Sequence, residues 1–329
     1  MNADLSPDRS ATFSATFSAN VSADLERRFG GLRRLYGESA YRRLRAARVA
    51  VVGVGGVGSW TAEALARSGV ALLVLIDLDQ VAESNIQRQV QALGATVGMA
   101  KVQALQRRIA DIHPGCEVIG VEEFVGADNW PALLPCTVDV LVDACDQVRA
   151  KLVLAQWAAA TGTPLVCVGA AGGRREPARV EVGDIRDVTH DPLLASLRQR
   201  LRQAARGGSG VLPGLRCVFS REPVTRPVME SVSESVNESV SESVSESMGE
   251  SVSESVGGSV NESMGGSEIE RTSESVVDPA GDAAPVDGSL NCAGYGSSVT
   301  VTATFGMVAA AEAVALLLHP ARAGASPRH

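Results

Sequence analysis

Residues 48–54, Arg-Val-Ala-Val-Val-Gly-Val, form a short apolar run that ends on glycine. Such a run is the pattern of a strand buried on both faces. Residues 59–68 then read as a helix, and 70–76, Val-Ala-Leu-Leu-Val-Leu-Ile, as a second buried strand stopped by Asp77. Further strands are expected at 117–121, 138–142 and 164–168, with helices at 98–112 and 147–161. Strand and helix in alternation predict an α/β protein, a Rossmann-like doubly wound, mostly parallel sheet with helices on both faces. Ligands of such sheets bind at the carboxyl ends of the strands. Residues 299–318 are nearly all apolar, with Glu312 their one charge. A core helix after a Thr-rich opening is the preferred reading. The stretch is also long enough to span a bilayer, so membrane association through 299–318 stays as the second reading.

A different pattern occupies 225–289. From Glu230 to Glu254 a Glu recurs every fourth residue, and Val or Met does the same from Val232 to Val260. A period of four drifts around a helix by about 40° per repeat, and Ser and Val are middling helix formers. The segment therefore reads as a disordered, solvated low-complexity insertion.

This segment changes the meaning of the net charge. The 329 residues carry −8, but 228–289 alone holds eleven Glu, three Asp and one Arg, or −13. The remainder is +5, a mildly basic body that can present a phosphate-binding face. Aromatics are only 4%, so the core must be aliphatic. The six cysteines contain no C-x-x-C pair, which argues against a cysteine-rich zinc site and for reduced thiols in a cytoplasm. The first 25 residues are polar and lack an apolar core of signal-peptide length, so no export is expected.

The glycine run Gly53-Val-Gly55-Gly56-Val-Gly58 follows a strand and opens a helix. Glycines let the backbone approach a phosphate, and the helix N-terminus offers N–H groups. Asp77, ending the next strand, suits ribose hydroxyls. By itself the run leaves a dinucleotide, another nucleotide and a structural turn open. The stretch that follows decides among them. Asp79, Asn85, Arg88, Gln89 and then Lys101 supply amide, guanidinium and ammonium groups where a nicotinamide would need an apolar slot. Those groups suit a triphosphate under attack at its α-phosphorus. Asp146, in the strand-end run Leu-Val-Asp143-Ala-Cys145-Asp146, can hold Mg²⁺ on the phosphates.

Taken together these motifs resemble the ThiF/MoeB/HesA adenylyltransferase superfamily, the fold of ubiquitin-activating enzymes. The resemblance covers roughly 28–185 and rests on the glycine loop, the D-x-D-x-V-x-x-S-N-x-x-R-Q run, the Lys thirteen residues after its Arg, and the later Asp. It implies ATP and Mg²⁺, with ATP contacts at Gly56, Asp77, Asn85, Arg88 and Lys101 and a metal-linked carboxylate at Asp146. Homodimerisation is also implied. The full set taken as nucleotide-binding is Gly53, Gly55, Gly56, Gly58, Asp77, Asp79, Asn85, Arg88, Gln89 and Lys101. Arg88, Lys101 and Asp146 are taken as catalytic.

Within the superfamily the chain is similar to the tRNA threonylcarbamoyladenosine dehydratases. The stretches that carry this are Arg28-Phe29-Gly30-Gly31, Arg34-Leu35-Tyr36-Gly37, Asp191-Pro192-Leu193 with a basic helix to Arg206, Cys217-Val218-Phe219-Ser220, and Val301 to Gly306. The implied reaction is adenylation of the threonyl carboxylate of the modified adenosine, then ring closure by the neighbouring carbamoyl group with loss of AMP. The implied partners are tRNA carrying threonylcarbamoyladenosine and a sulfur-transfer protein. The other reading is adenylation of the C-terminus of a sulfur-carrier or ubiquitin-like protein, which would call on a reactive cysteine. Cys217 and Cys145 are expected instead to be packed, and His113 to end a helix. Arg28 or Arg34 is expected either to reach a partner subunit's phosphates or to form a surface salt bridge. The arginines from Arg198 to Arg206 are either tRNA contacts or a solvated face. The resulting organisation is a tail at 1–25, a ThiF-like ATP-binding domain at 26–224, the insertion at 225–289, and the rest of the same domain at 290–320.

Deleting 228–275 should leave melting temperature and turnover close to wild type. The comparison is made at two salt concentrations. A rise in tRNA affinity confined to low salt would identify the repeat as a competing polyanion. A steep loss of melting temperature at both would show that the repeat is packed structure.

Overall fold

The computed structural model describes residues 24–206, 214–225 and 295–319, all within one compact unit. The tail and the acidic repeat inferred from the sequence lie outside the described residues. A helix over 24–36 (α1) leads into α2, Glu38–Leu44, and β1, Arg48–Val52. Then follow α3 (Gly58–Arg67), β2 (Leu72–Ile76), α4 (Lys101–Ile112), β3 (Glu117–Val121), β4 (Val140–Asp143) and α5 (Val148–Thr161). The chain continues through β5 (Leu165–Val168), β6 (Val180–Asp184), α6 (Pro192–Arg206), β7 (Arg216–Ser220) and α7 (Val299–Leu318).

The sheet order is β3-β2-β1-β4-β5-β7-β6. All pairs are parallel except β6 with β7. The chain runs outward from β1 to β3, then returns to β4 on the other side of β1. That reversal opens a crevice above the carboxyl ends of β1 and β4, where doubly wound sheets bind ligands.

The alternation of side chains on β1 divides the core. Val49 and Val51 face the layer built with α3, α4 and α7. Ala50 and Val52 face the layer built with α5 and α6. Both faces are covered, which is why these strands read as continuous apolar runs.

The main departures from the sequence expectation have local reasons. β1 stops at Val52 because Gly53 turns the chain at φ 80°. α4 begins at Lys101, not 98, because Gly98 and Met99 exchange backbone hydrogen bonds with Val81. The antiparallel edge strand β6 has no counterpart among the strands expected from sequence; in Val-Glu-Val-Gly-Asp only Val180 and Val182 alternate, too short a signal to stand out.

The apolar stretch 299–318 is one helix, and its Thr-rich opening is the first turn and a half of it. Thr304 satisfies its hydroxyl on the Thr300 carbonyl at 2.7 Å. By length and composition α7 passes as a membrane span, yet 56% of its most apolar window is buried inside the protein. Phe305, Ala309 and Ala313 are fully buried. At Gly306 a side chain would lie 2.6 Å from both Trp60 Cβ and the Val57 carbonyl, so α7 and α3 touch backbone to backbone.

His113 closes α4, as its place before Pro114 suggests. It is fully buried, accepts a hydrogen bond from Arg45 at 2.7 Å and meets Phe29 edge to face. Burial, with the charges of Arg45 and Arg28, brings its pKa from 6.5 down to about 4. The unfolded chain therefore takes up a proton below pH 6.5 that the fold excludes until about 4. Stability is full above this window and falls as pH drops through it. Denaturant midpoints at about pH 7.5 and about pH 5 should differ more for the wild type than for His113→Gln. Equal differences would remove His113 as the cause.

Candidate active site at the carboxyl ends of the central strands

The glycine run forms the turn between β1 and α3. At Gly53 a Cβ would lie 2.8 Å from the amide nitrogen of Cys145 and 2.9 Å from its Cα. The loop after β4 thus presses directly on the loop after β1. At Gly58 a Cβ would collide with the Gly53 carbonyl; Gly58 closes the turn. Gly53, Gly55, Gly56 and Val57 line a cavity of about 420 Å³, immediately before the first residues of α3.

The same cavity is lined by Asp77, Asp79, Asn85, Arg88, Gln89, Lys101 and Asp146. Every residue of the expected set is therefore brought to one place except Gly58, which lies behind the turn. Asp77 is buried and accepts hydrogen bonds from the amides of Val54 at 2.8 Å and Asp79 at 2.9 Å. Burial raises its carboxyl above the usual range, and the Lys101 ammonium, 3.8 Å away, works against that rise. Lys101 itself donates to Asp79 at 2.6 Å. Asn85 accepts from the Ala82 amide at 3.2 Å and so pins its own turn. Buried Gln89 accepts from Gln91 at 3.0 Å.

Arg88 donates to the Ser84 carbonyl at 2.8 Å, and its stem crosses over Gly56. A Cβ on Gly56 would come within 3.3 Å of both Arg88 Cδ and Thr302 Cγ2. The Arg88 backbone carbonyl accepts from the Trp60 indole at 3.0 Å, so the arginine is held at both ends. Burial lowers its pKa. Asp146 lines the cavity between Cys145 and Gln147. Among the described residues no group of three His, Cys, Asp or Glu gathers as a metal cage. The Asp146 carboxylate is an oxygen donor of the type that Mg²⁺ takes.

The far wall is Gly169-Ala170-Ala171-Gly172, with Leu193, Ser297 and Thr302. Buried Arg174 holds this wall. It donates to the carbonyls of Ala170 at 2.7 Å, Ser220 at 2.9 Å and His190 at 2.9 Å, and also to that of Glu222. Asp191 caps α6 through the Leu194 amide at 3.0 Å and accepts from the Ala170 amide at 2.9 Å. The sequence reading passed over Arg174 and Glu222. Arg174 meets a carbonyl of its own loop and those of two distant segments, and no local pattern announces that.

Other expectations resolve away from the cavity. Arg28 forms a surface ion pair with Asp24 at 2.8 Å and also ties the last turn of α4, donating to the carbonyls of Asp111 at 3.0 Å and Ile112 at 3.1 Å. Arg34 is exposed and lines no part of the cavity. Arg198 donates to Ile185 at 3.0 Å and Val188 at 2.7 Å, a structural role, while Arg200 and Arg202 are solvent-exposed. Cys217 is a fully buried strand residue beside Cys167. Cys145 is the one cysteine among the described residues that lines the cavity. Burial and the neighbouring Asp143 carboxylate push its thiol well above the ordinary range, so it is a protonated thiol and a poor nucleophile.

The family model described as the ThiF family matches residues 29–328. The tRNA threonylcarbamoyladenosine dehydratase of Escherichia coli (strain K12) is 42% identical over 203 residues, covering 61% of this chain and 75% of the relative. The protein of the same name from Haemophilus influenzae is 36% identical over 206 residues, covering 62% and 79%. The crystal structure of E. coli tRNA N6-threonylcarbamoyladenosine dehydratase, TcdA, in complex with ATP superposes with a TM-score of 0.66 at 33% identity, covering 90% of this chain and 96% of that one. Its complex with AMP gives 0.67. With the fold, the glycine turn and the converging charges in agreement with that match, the chain belongs to the ThiF family, on its tRNA threonylcarbamoyladenosine dehydratase branch.

Proposed function

We propose that this protein uses ATP to adenylate the threonyl carboxylate of threonylcarbamoyladenosine in tRNA and then lets the substrate close its own ring. The observation that carries this reading is the cavity itself. It joins a glycine turn to Arg88, Lys101 and Asp146 at the point where the sheet reverses. The names of the relatives and the ATP and AMP complexes of the E. coli protein support it.

In this reading the glycine turn and the start of α3 receive the phosphates, and Asp77 accepts the ribose hydroxyls. Arg88 and Lys101 neutralise charge as the carboxylate attacks the α-phosphorus and pyrophosphate leaves. Lys101 must give up its bond to Asp79 to do so. Asp146 is the residue that would hold Mg²⁺, which would further neutralise the phosphates when bound. The carbamoyl group then attacks the activated carboxyl carbon and AMP departs. Both reacting groups belong to one substrate, so holding them together supplies much of the rate. No enzyme thiol is consumed. The protonated state of Cys145 and the burial of Cys217 speak against the carrier-protein reading.

The rest of the proposal concerns organisation. Residues 26–224 and 290–320 form one adenylyltransferase domain around the 225–289 insertion, supported by the packing of α7 on α3. Homodimerisation is supported by the exposed apolar residues Ile86, Leu93 and Val97 on the segment joining β2 to α4. The protein works in the cytoplasm. Membrane association through 299–318 would fall to the exposed face of α7, which includes Val299 and Met307.

Calorimetry should show ATP binding in the presence of Mg²⁺ and little affinity for NAD; tight NAD binding with none for ATP would sink the adenylation. With ATP saturating, Arg88→Ala and Asp146→Ala should each lower ring closure on threonylcarbamoyl-modified tRNA by about 10²–10³. Cys217→Ser should cost little. Loss of activity in Cys217→Ser with an intact fold would contradict a thiol-free reaction.

A further inference from the structure

Lys151 is fully buried in the first turn of α5, beneath the cavity. Its ammonium donates to Asp143 Oδ1 at 3.0 Å and to the Val168 carbonyl at 2.7 Å, with the Asp143 carbonyl at 3.4 Å. Asp143 is the last residue of β4 and Val168 the last of β5. One ammonium therefore bridges two strand ends at the point where their loops leave to line the cavity.

Holding the strands together does not require this bridge. β4 and β5 are already paired through Leu141–Leu165, Val142–Val166 and Asp143–Cys167. Apolar side chains of similar size would fill the space without the cost of dehydrating two charges. What the ladder leaves open is the direction in which the loops depart, and here the bridge acts. The Asp143 carboxylate accepts the Cys145 amide at 3.2 Å and the Cys145 thiol at 2.9 Å. The nitrogen and Cα of Cys145 are the atoms that press on Gly53. Asp146 is the next residue. A continuous path runs from Lys151 through Asp143 and Cys145 to both the glycine turn and the Asp146 carboxylate.

Burial alone would favour the uncharged amine, but the Asp143 carboxylate at 3.0 Å outweighs it, and the pKa of Lys151 is raised. The ammonium form of Lys151 is thus the favoured one beside Asp143.

We propose that Lys151 is a positioning residue for adenylation, acting through Asp143 to set the loop 144–146. The inference rests on the proposed adenylation at this cavity. The ribose end of the site, at Asp77 after β2, belongs to another element and should feel little of it.

The test uses the full-length protein, Lys151→Met, Asp143→Asn and the double variant. Each is measured for melting temperature, ATP affinity, and kcat and KM of ring closure on threonylcarbamoyl-modified tRNA. Lys151→Met strands a buried carboxylate and should melt early; adding Asp143→Asn removes that charge and should restore the melting temperature. Positioning requires that the double variant keep a kcat about 10²-fold below wild type, while its KM and affinity for ATP stay within about threefold. A double variant that regains both melting temperature and kcat overturns the proposal, because the bridge then serves stability alone. If the Lys151→Met proteins do not fold, Asp143→Asn decides, since it is isosteric. A kcat lowered about tenfold at unchanged KM for ATP supports positioning, and a wild-type kcat refutes it. Failure of the proposed function looks different: the wild-type protein would close no ring. ATP-dependent AMP formation by the same proteins would then judge the bridge.

Discussion

A backbone contact with no room for a side chain sets the geometry of this site. Gly53 sits at φ 80° with its α-carbon against the amide of Cys145. Any other residue there would need both a strained backbone conformation and space that the loop after β4 occupies. The contact brings the turn after β1 and the loop after β4 together at the one crevice that the reversal of strand order opens. The glycine turn and Asp146 come to the same cavity because these two backbones touch.

Around that contact the protein spends buried charge, and it spends it asymmetrically. On the side of β2, Asp77, Asp79 and Lys101 form a partly exposed set whose bonds can be exchanged for those of a nucleotide. On the side of β4, β5 and β7, Lys151 with Asp143 and Arg174 with Asp191 are closed, with every ion fully buried and hydrogen-bonded to nearby strand ends or carbonyls. Exchangeable charges suit binding and release. Closed ones suit walls that must keep their shape while a charged intermediate forms and departs. The walls are small residues, Gly169 to Gly172, and at Gly169 a side chain would strike the Asp191 carboxylate. Their form is set by the buried ions behind them.

The helix α7 completes the arrangement from a distant part of the sequence. Its Thr302 stands beside Arg88 over Gly56, and Gly306 lets it lie against α3. The long acidic stretch separates this helix from β7 along the chain, yet α7 is as much part of the core as β1.

The sheet class, five of the seven strands as runs of their own, the helices between them and the position of the ligand crevice were all legible in the chain. These depend on periodicity and on glycine and aspartate at strand ends, which are local properties. The residues that gather at the cavity were legible for the same reason, since Gly53 to Lys101 lie on two successive strand-to-helix connections. The tertiary structure decided the rest. It made the apolar stretch 299–318 a core helix, because only the groove beside α3 shows why Gly306 is there. It placed Arg28 and Arg198 on carbonyl groups at helix and loop ends and so gave them structural work. It also paired Lys151 with Asp143, and Arg174 with Asp191 and the Ser220 carbonyl. A buried charge is defined by partners that desolvation obliges it to find, and those partners arrive from other strands, where no spacing along the chain records them.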